Sequence, residues 1–156
     1  MRSTYRVLAY LIAFEVVVQA TMIAWAIFGF GQWIDDGNTF NKSVLECEDC
    51  GWNFTAERGF MVHGLNGALV IPLLSLVLLI VSFFAKIPGG ILWAAALFAL
   101  VIVQSQVLPV LGRDYPVLGA LHGLNALVVF GVAVMAGKRV TSGRRRASEE
   151  PAAAAV

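Results

Sequence analysis

Apolar residues run along the chain in four long blocks, approximately Val7 to Phe30, Phe60 to Ala85, Gly90 to Leu111 and Val117 to Ala136. Each is about the 20 residues that an α-helix needs to cross a hydrocarbon core roughly 30 Å thick. Lys86-Ile87-Pro88-Gly89-Gly90 and Gly112-Arg113-Asp114-Tyr115-Pro116 separate the last three blocks with glycine and proline, which stop and restart helices. The pattern predicts an all-α fold, a four-transmembrane-helix bundle over residues 1–137 with a long loop at 31–59. Residues 138–156 are a basic tail, alanine-rich at its end, whose composition favours disorder. Ala24-Trp25-Ala26 loosely mimics a signal-peptide cleavage site. The first run is too long for a signal peptide and contains Glu15 and Gln19, so it reads as an uncleaved span.

Composition agrees with lipid as the solvent: 59% of the residues are hydrophobic and 13% charged, against about 25% charged in ordinary soluble domains. Orientation follows from the basic residues that flank the spans. Arg2, Arg6, Lys86, Lys138, Arg139, Arg144, Arg145 and Arg146 all fall on one side of a four-span arrangement, which is therefore expected to be cytoplasmic, with both termini. Lys42, Arg58 and Arg113 fall on the other side, together with Asp35, Asp36, Glu46, Glu48, Asp49, Glu57 and Asp114. The expected location is a bacterial inner (plasma) membrane, crossed several times. The basic cluster beside the last span suits anionic lipid as a partner rather than nucleic acid.

The only two histidines occur in one repeated tetrapeptide, His63-Gly64-Leu65-Asn66 and His122-Gly123-Leu124-Asn125. Upstream, Val16-Val17-Val18-Gln19 in the first run matches Val101-Ile102-Val103-Gln104 in the third, which suggests a two-helix unit used twice. Spans two and four run in the same direction, so the imidazoles are expected at similar depth and face to face. Asn66 and Asn125 follow three residues later on the same helical faces. With Gln19, Gln104 and Gln106 they form a polar layer inside the apolar zone, where polar groups are costly and point to function. A single Asn or Gln of this kind more often bridges helices. The recurrence of histidine at matched depth, and nowhere else, argues for a shared task.

Two histidines are too few for a structural zinc site, which takes four protein ligands. They match the two axial positions of a haem iron held between helices of a bundle. Gly64 and Gly123 beside them, with Gly67, Ala68 and Ala126 within a turn, leave room for a flat macrocycle; the same small residues also favour close helix packing. Arg58 and Arg113, on an otherwise acidic side, are candidates to pair with haem propionates, with interfacial anchoring or pairing to Glu57 and Asp114 as the alternatives.

The arrangement of spans, the histidines near the outer ends of spans two and four, the segment Val101 to Gly112 and the sequence LGALHGLNALVVF resemble one half of bacterial haem A synthase, over roughly Val7 to Ala136. The resemblance implies a four-helix bundle, haem ligation by His63 and His122, and a redox or structural role for Cys47 and Cys50. That family carries a glutamate one turn before the first histidine of its reactive half; Phe60 stands there, and Glu57 lies two turns away. One histidine pair is present, and a homodimer would supply a second.

Cys47-Glu48-Asp49-Cys50 has the spacing of exchange motifs; in an oxidising compartment it forms a disulfide or cycles as a dithiol. Asn41-Lys42-Ser43 and Asn53-Phe54-Thr55 have the form of glycosylation acceptors. Glu15, with Gln19 one turn further on the same face, is a candidate proton relay toward the polar layer or an interhelical hydrogen bond. The leading expectation is a membrane protein that binds one b-type haem between His63 and His122, for electron transfer or haem handling at the outer face. A haem confined to one leaflet implies quinone or a redox protein as partner. The alternative is a non-catalytic tetraspan accessory or structural protein without cofactor.

Overall fold

A glycine with positive φ ends the first helix, a left-handed Lys86 ends the helix that follows the long connection, and Tyr115 breaks the chain before the last helix. Between these stops the computed structural model, which describes the backbone of residues 1–46 and 51–153 and the side chains of 1–44 and 51–140, is helical nearly throughout, with no strand among the described residues. The elements are α1 (Arg2–Asp35), α2 (Lys42–Glu46), a 3₁₀ turn (Thr55–Glu57), α3 (Arg58–Leu65), a π-helical turn (Asn66–Val70), α4 (Ile71–Ala85), α5 (Gly90–Ile102), a second π-helical turn (Val103–Val107), α6 (Leu108–Asp114) and α7 (Pro116–Ala153).

Four stretches are long and apolar enough to cross a membrane: Arg2–Asp35, Thr55–Ala85, Gly90–Asp114 and Pro116–Val140. They extend past all four sequence runs at one or both ends. Hydropathy stops at the first charge, whereas a helix stops only where its backbone does. Both π turns lie just ahead of a proline, Pro72 and Pro109. Proline has no N–H and its ring clashes with the carbonyl four residues back, so a locally widened turn lets the helix run on through it.

The described residues divide into two compact units, one of residues 1–16 and 68–156, the other of 17–67. In the first unit the four long helices share one core. Tyr5, Ala9 and Ile12 of α1, Ile71, Ser75, Leu78, Ser82 and Ala85 of α4, Gly90, Ala94, Leu97 and Val101 of α5, and Val129, Ala133 and Ala136 of α7 are buried. On every helix these positions alternate in steps of four and three, the spacing of knobs-into-holes packing. Most of them are small. The hydroxyls of Ser75 and Ser82 are satisfied on their own helix, donating to the carbonyls of Pro72 and Leu79 at 2.8 and 2.6 Å. Many large side chains point the other way: Phe14, Leu73, Phe83, Phe84, Leu92 and Leu127 are exposed.

One end of this unit is tied by polar contacts. Tyr5, fully buried, donates its hydroxyl to the carbonyl of Gly90 at 3.0 Å. Arg2 donates to the carbonyls of Ala85 and Lys86 at 3.3 and 2.9 Å, which satisfies backbone acceptors left over where α4 ends.

The second unit packs the later part of α1 against the segment 55–65 through small residues. Ala26 and Ala56 are buried, a β-carbon on Gly29 would overlap that of Ala56, and one on Gly59 would lie 2.5 Å from the carbonyl oxygen of Met22. Phe30, Trp33, Phe40 and Phe54 form an aromatic cluster, with Phe30 edge-on to Phe40 at 5.0 Å and Trp33 5.8 Å from Phe54. It anchors both ends of the connection to α1.

Candidate functional site

Each copy of the repeated tetrapeptide is bound to the helix that precedes it. In the first copy, His63 on α3 brings Nδ1 to 3.2 Å from the backbone carbonyl oxygen of Gln19 on α1. A carbonyl only accepts, so Nδ1 is the donor in this bond, as in the tautomer that a metal-binding imidazole uses. The Gln19 side chain lies over Gly67, where a β-carbon would sit 3.5 Å from its Nε2. Both of its amide atoms are buried and make no hydrogen bond among the described residues.

The second copy uses asparagine for the same connection. Asn125 on α7 donates through Nδ2 to Gln104 Oε1 at 2.9 Å and to the carbonyl of Leu100 at 3.0 Å. Gln104 sits in the second π turn with Ser105 and Gln106. Ser105 donates back to the carbonyl of Val101 at 2.9 Å, and Gln106 donates to Ser105 at 3.2 Å. His122 is half-buried, its Nδ1 withdrawn from the surface. In both copies, then, a tetrapeptide side chain reaches the VVVQ or VIVQ segment of the preceding helix. The two-helix repeat read from the sequence corresponds to a pair of real contacts, with the histidine carrying the first and the asparagine the second.

A β-carbon added at Gly64 or Gly123 would meet nothing within 4 Å, so the position after each histidine opens onto free space. Asn66 is half-buried and opens the first π turn. His63 and Gln19 belong to the unit 17–67, whereas His122, Asn125 and Gln104 belong to the other. The two groups thus lie in different units.

The flanking charges are exposed. Arg58 lies over the Trp52 ring, its guanidinium carbon 5.7 Å from the ring centroid, and Arg113 stands in the last turn of α6. The Glu57 carboxylate accepts the backbone N–H of Asn53 at 2.6 Å and its side-chain amide at 3.2 Å. Asn41 likewise serves the backbone, accepting the N–H of Ser43 at 3.0 Å at the start of α2. The aromatic cluster and these local caps were not anticipated from the sequence, although Asn three or four residues before an acid or just before a short helix is a recognisable cap signal. Glu15 is half-buried on α1, four residues before Gln19. Cys47 and Cys50 lie outside the described residues. No family model, curated protein or solved structure matches the chain.

Proposed function

We propose that the chain is a multi-pass protein of a bacterial plasma membrane, with both termini cytoplasmic, in which His63 and His122 are the axial ligands of one b-type haem serving electron transfer or haem handling near the outer face. The membrane part rests on the inversion of the helices: small residues at the buried seam, Phe28, Leu92 and Val117 outermost, at 80%, 72% and 79% exposure. Apolar surface on this scale marks contact with lipid or another protein.

The observation that carries the haem is the bond from His63 Nδ1 to the Gln19 carbonyl. That contact orients the ring and makes Nδ1 its donor, as outer-shell partners of metal-bound histidines do. The open positions at Gly64 and Gly123 suit a flat ligand beside each imidazole. Asn125, by bonding Gln104 and Leu100, fixes the register of α7 on α5 and so the level at which His122 stands. Arg58 and Arg113 are the cations proposed to meet the propionates, and quinone or a redox protein is the proposed partner. When bound, the haem would supply one-electron redox chemistry. A homo-oligomer and a disulfide between Cys47 and Cys50 belong to the same proposal.

The test is an absorption spectrum of the detergent-purified protein expressed with haem precursor, oxidised and dithionite-reduced, beside His63→Ala and His122→Ala. A low-spin bis-histidine spectrum lost in both variants is the expected result. A colourless wild type that takes up no added haem sinks the reading and leaves the cofactor-free tetraspan.

A further inference from the structure

The turn Lys86–Gly89 between α4 and α5 is approached from α7 by one more cation. Arg139 Nη1 reaches the carbonyl of Pro88 at 3.4 Å, and its guanidinium carbon sits 4.7 Å from the centroid of the Trp93 ring. Gly89, at φ +69°, lets it come this close, since a β-carbon there would be 3.1 Å from Nη1. Among the described residues no carboxylate pairs with Arg139, and the bond to Pro88 uses one of five guanidinium N–H groups. Directly below lies an apolar groove of about 290 Å³ lined by Leu92, Trp93, Ala96 and Val132. Val132 is seven residues before Arg139 on α7, so the groove runs roughly 10 Å along the helix from the charge.

We propose that this groove, with Arg139 at its mouth, is a binding site for one anionic phospholipid. The argument for the occupant is charge complementarity. A guanidinium with no carboxylate partner among the described residues, at one end of an otherwise apolar trough, offers paired N–H donors in the geometry that phosphate oxygens accept. Trp93 gives the wall an amphipathic ring of the kind that settles at headgroup level. One acyl chain lies along Leu92, Ala96 and Val132, and the phosphate accepts from Arg139. The proposal rests on the membrane part of the reading above and is independent of the haem.

The test is fluorescence of the full chain in phosphatidylcholine vesicles holding a minor fraction of either brominated phosphatidylglycerol or brominated phosphatidylcholine. The emission of Trp93 is obtained as wild type minus Trp93→Phe. Half-quenching of Trp93 is expected at about five-fold less of the brominated anionic lipid than of the neutral one. Arg139→Gln should remove that difference, and Ala96→Leu, which fills the groove from an exposed position and keeps the cation, should remove it as well. Equal half-points in the wild type, or selectivity retained in Arg139→Gln, overturn the site. Remaining tryptophans quenched while Trp93 is not also overturn it and leave the membrane reading standing. If no tryptophan is quenched by either lipid, the membrane reading itself falls.

Discussion

Replacing Gly59 with alanine places a methyl group 2.5 Å from the Met22 carbonyl oxygen, 3.0 Å from Ala26 Cβ and 3.2 Å from Ala26 N. Carbon and oxygen settle at about 3.3–3.6 Å, so α3 and α1 must part by roughly 1 Å. Two of these neighbours are backbone atoms and cannot swing aside. Because Gly59 shares a seam with Ala26, Ala56 and Gly29, the separation is felt along its length; a gap of 0.5–1 Å forfeits about a quarter to a half of each dispersion contact. Overpacking of this kind costs about 1–3 kcal/mol. The better helix propensity of alanine returns about 1 kcal/mol. The net expectation is a loss of about 0–2 kcal/mol. Gly31→Ala, on the same α1 but with nothing within 4 Å of the new methyl group, should instead gain about 0.5–1 kcal/mol. Thermal unfolding of both variants in mild detergent, followed by circular dichroism, reads the contrast. Gly59→Ala should melt up to roughly 8 °C below the wild type and Gly31→Ala at or above it. Equal midpoints for the two variants would refute the close-packed seam.

The bond between Asn125 and Gln104 should appear as a coupling energy of about 0.5–1.7 kcal/mol in a double-mutant cycle of Asn125→Ala and Gln104→Ala, the range of interhelical side-chain bonds in membranes. Strictly additive losses would show that the two amides do not meet. Lys86 adopts φ 50° and ψ 48°, a left-handed conformation that costs a non-glycine residue about 1–2 kcal/mol. Lys86→Gly should therefore be more stable than Lys86→Ala, which removes the same charge and keeps the strain; unfolding midpoints in the reverse order would contradict the assigned turn.

Hydropathy and punctuation were enough to give the number, order and approximate length of the long helices. Backbone hydrogen bonds close within each segment, and a run of apolar residues bounded by glycine and proline has few other solutions. The repeat was legible too: HGLN and the VVVQ or VIVQ segments stand out as polar residues in apolar surroundings, and polar residues there bond to one another. Which atom makes each bond was not legible. His63 binds the backbone of Gln19 rather than its amide, while in the second copy Asn125 takes the role, because the side chain that reaches is set by the rotation of each helix about its axis.

That rotation is what tertiary structure decided. Helices apolar all round have almost no polarity difference between faces, so hydrophobic patterning cannot say which side is inside. The answer came from size: Ala9, Ser75, Ala94 and Ala133 sit on the buried seam and Phe14, Phe83 and Leu92 on the outside, because backbones approach closely only across small side chains. The two π turns were likewise invisible in the pattern, although Pro72 and Pro109 explain them once the helices are seen to continue through. Sequence alone thus determined what the helices are made of and roughly where they lie. Packing determined which face each turns inward, since only contact distances distinguish one apolar face from another.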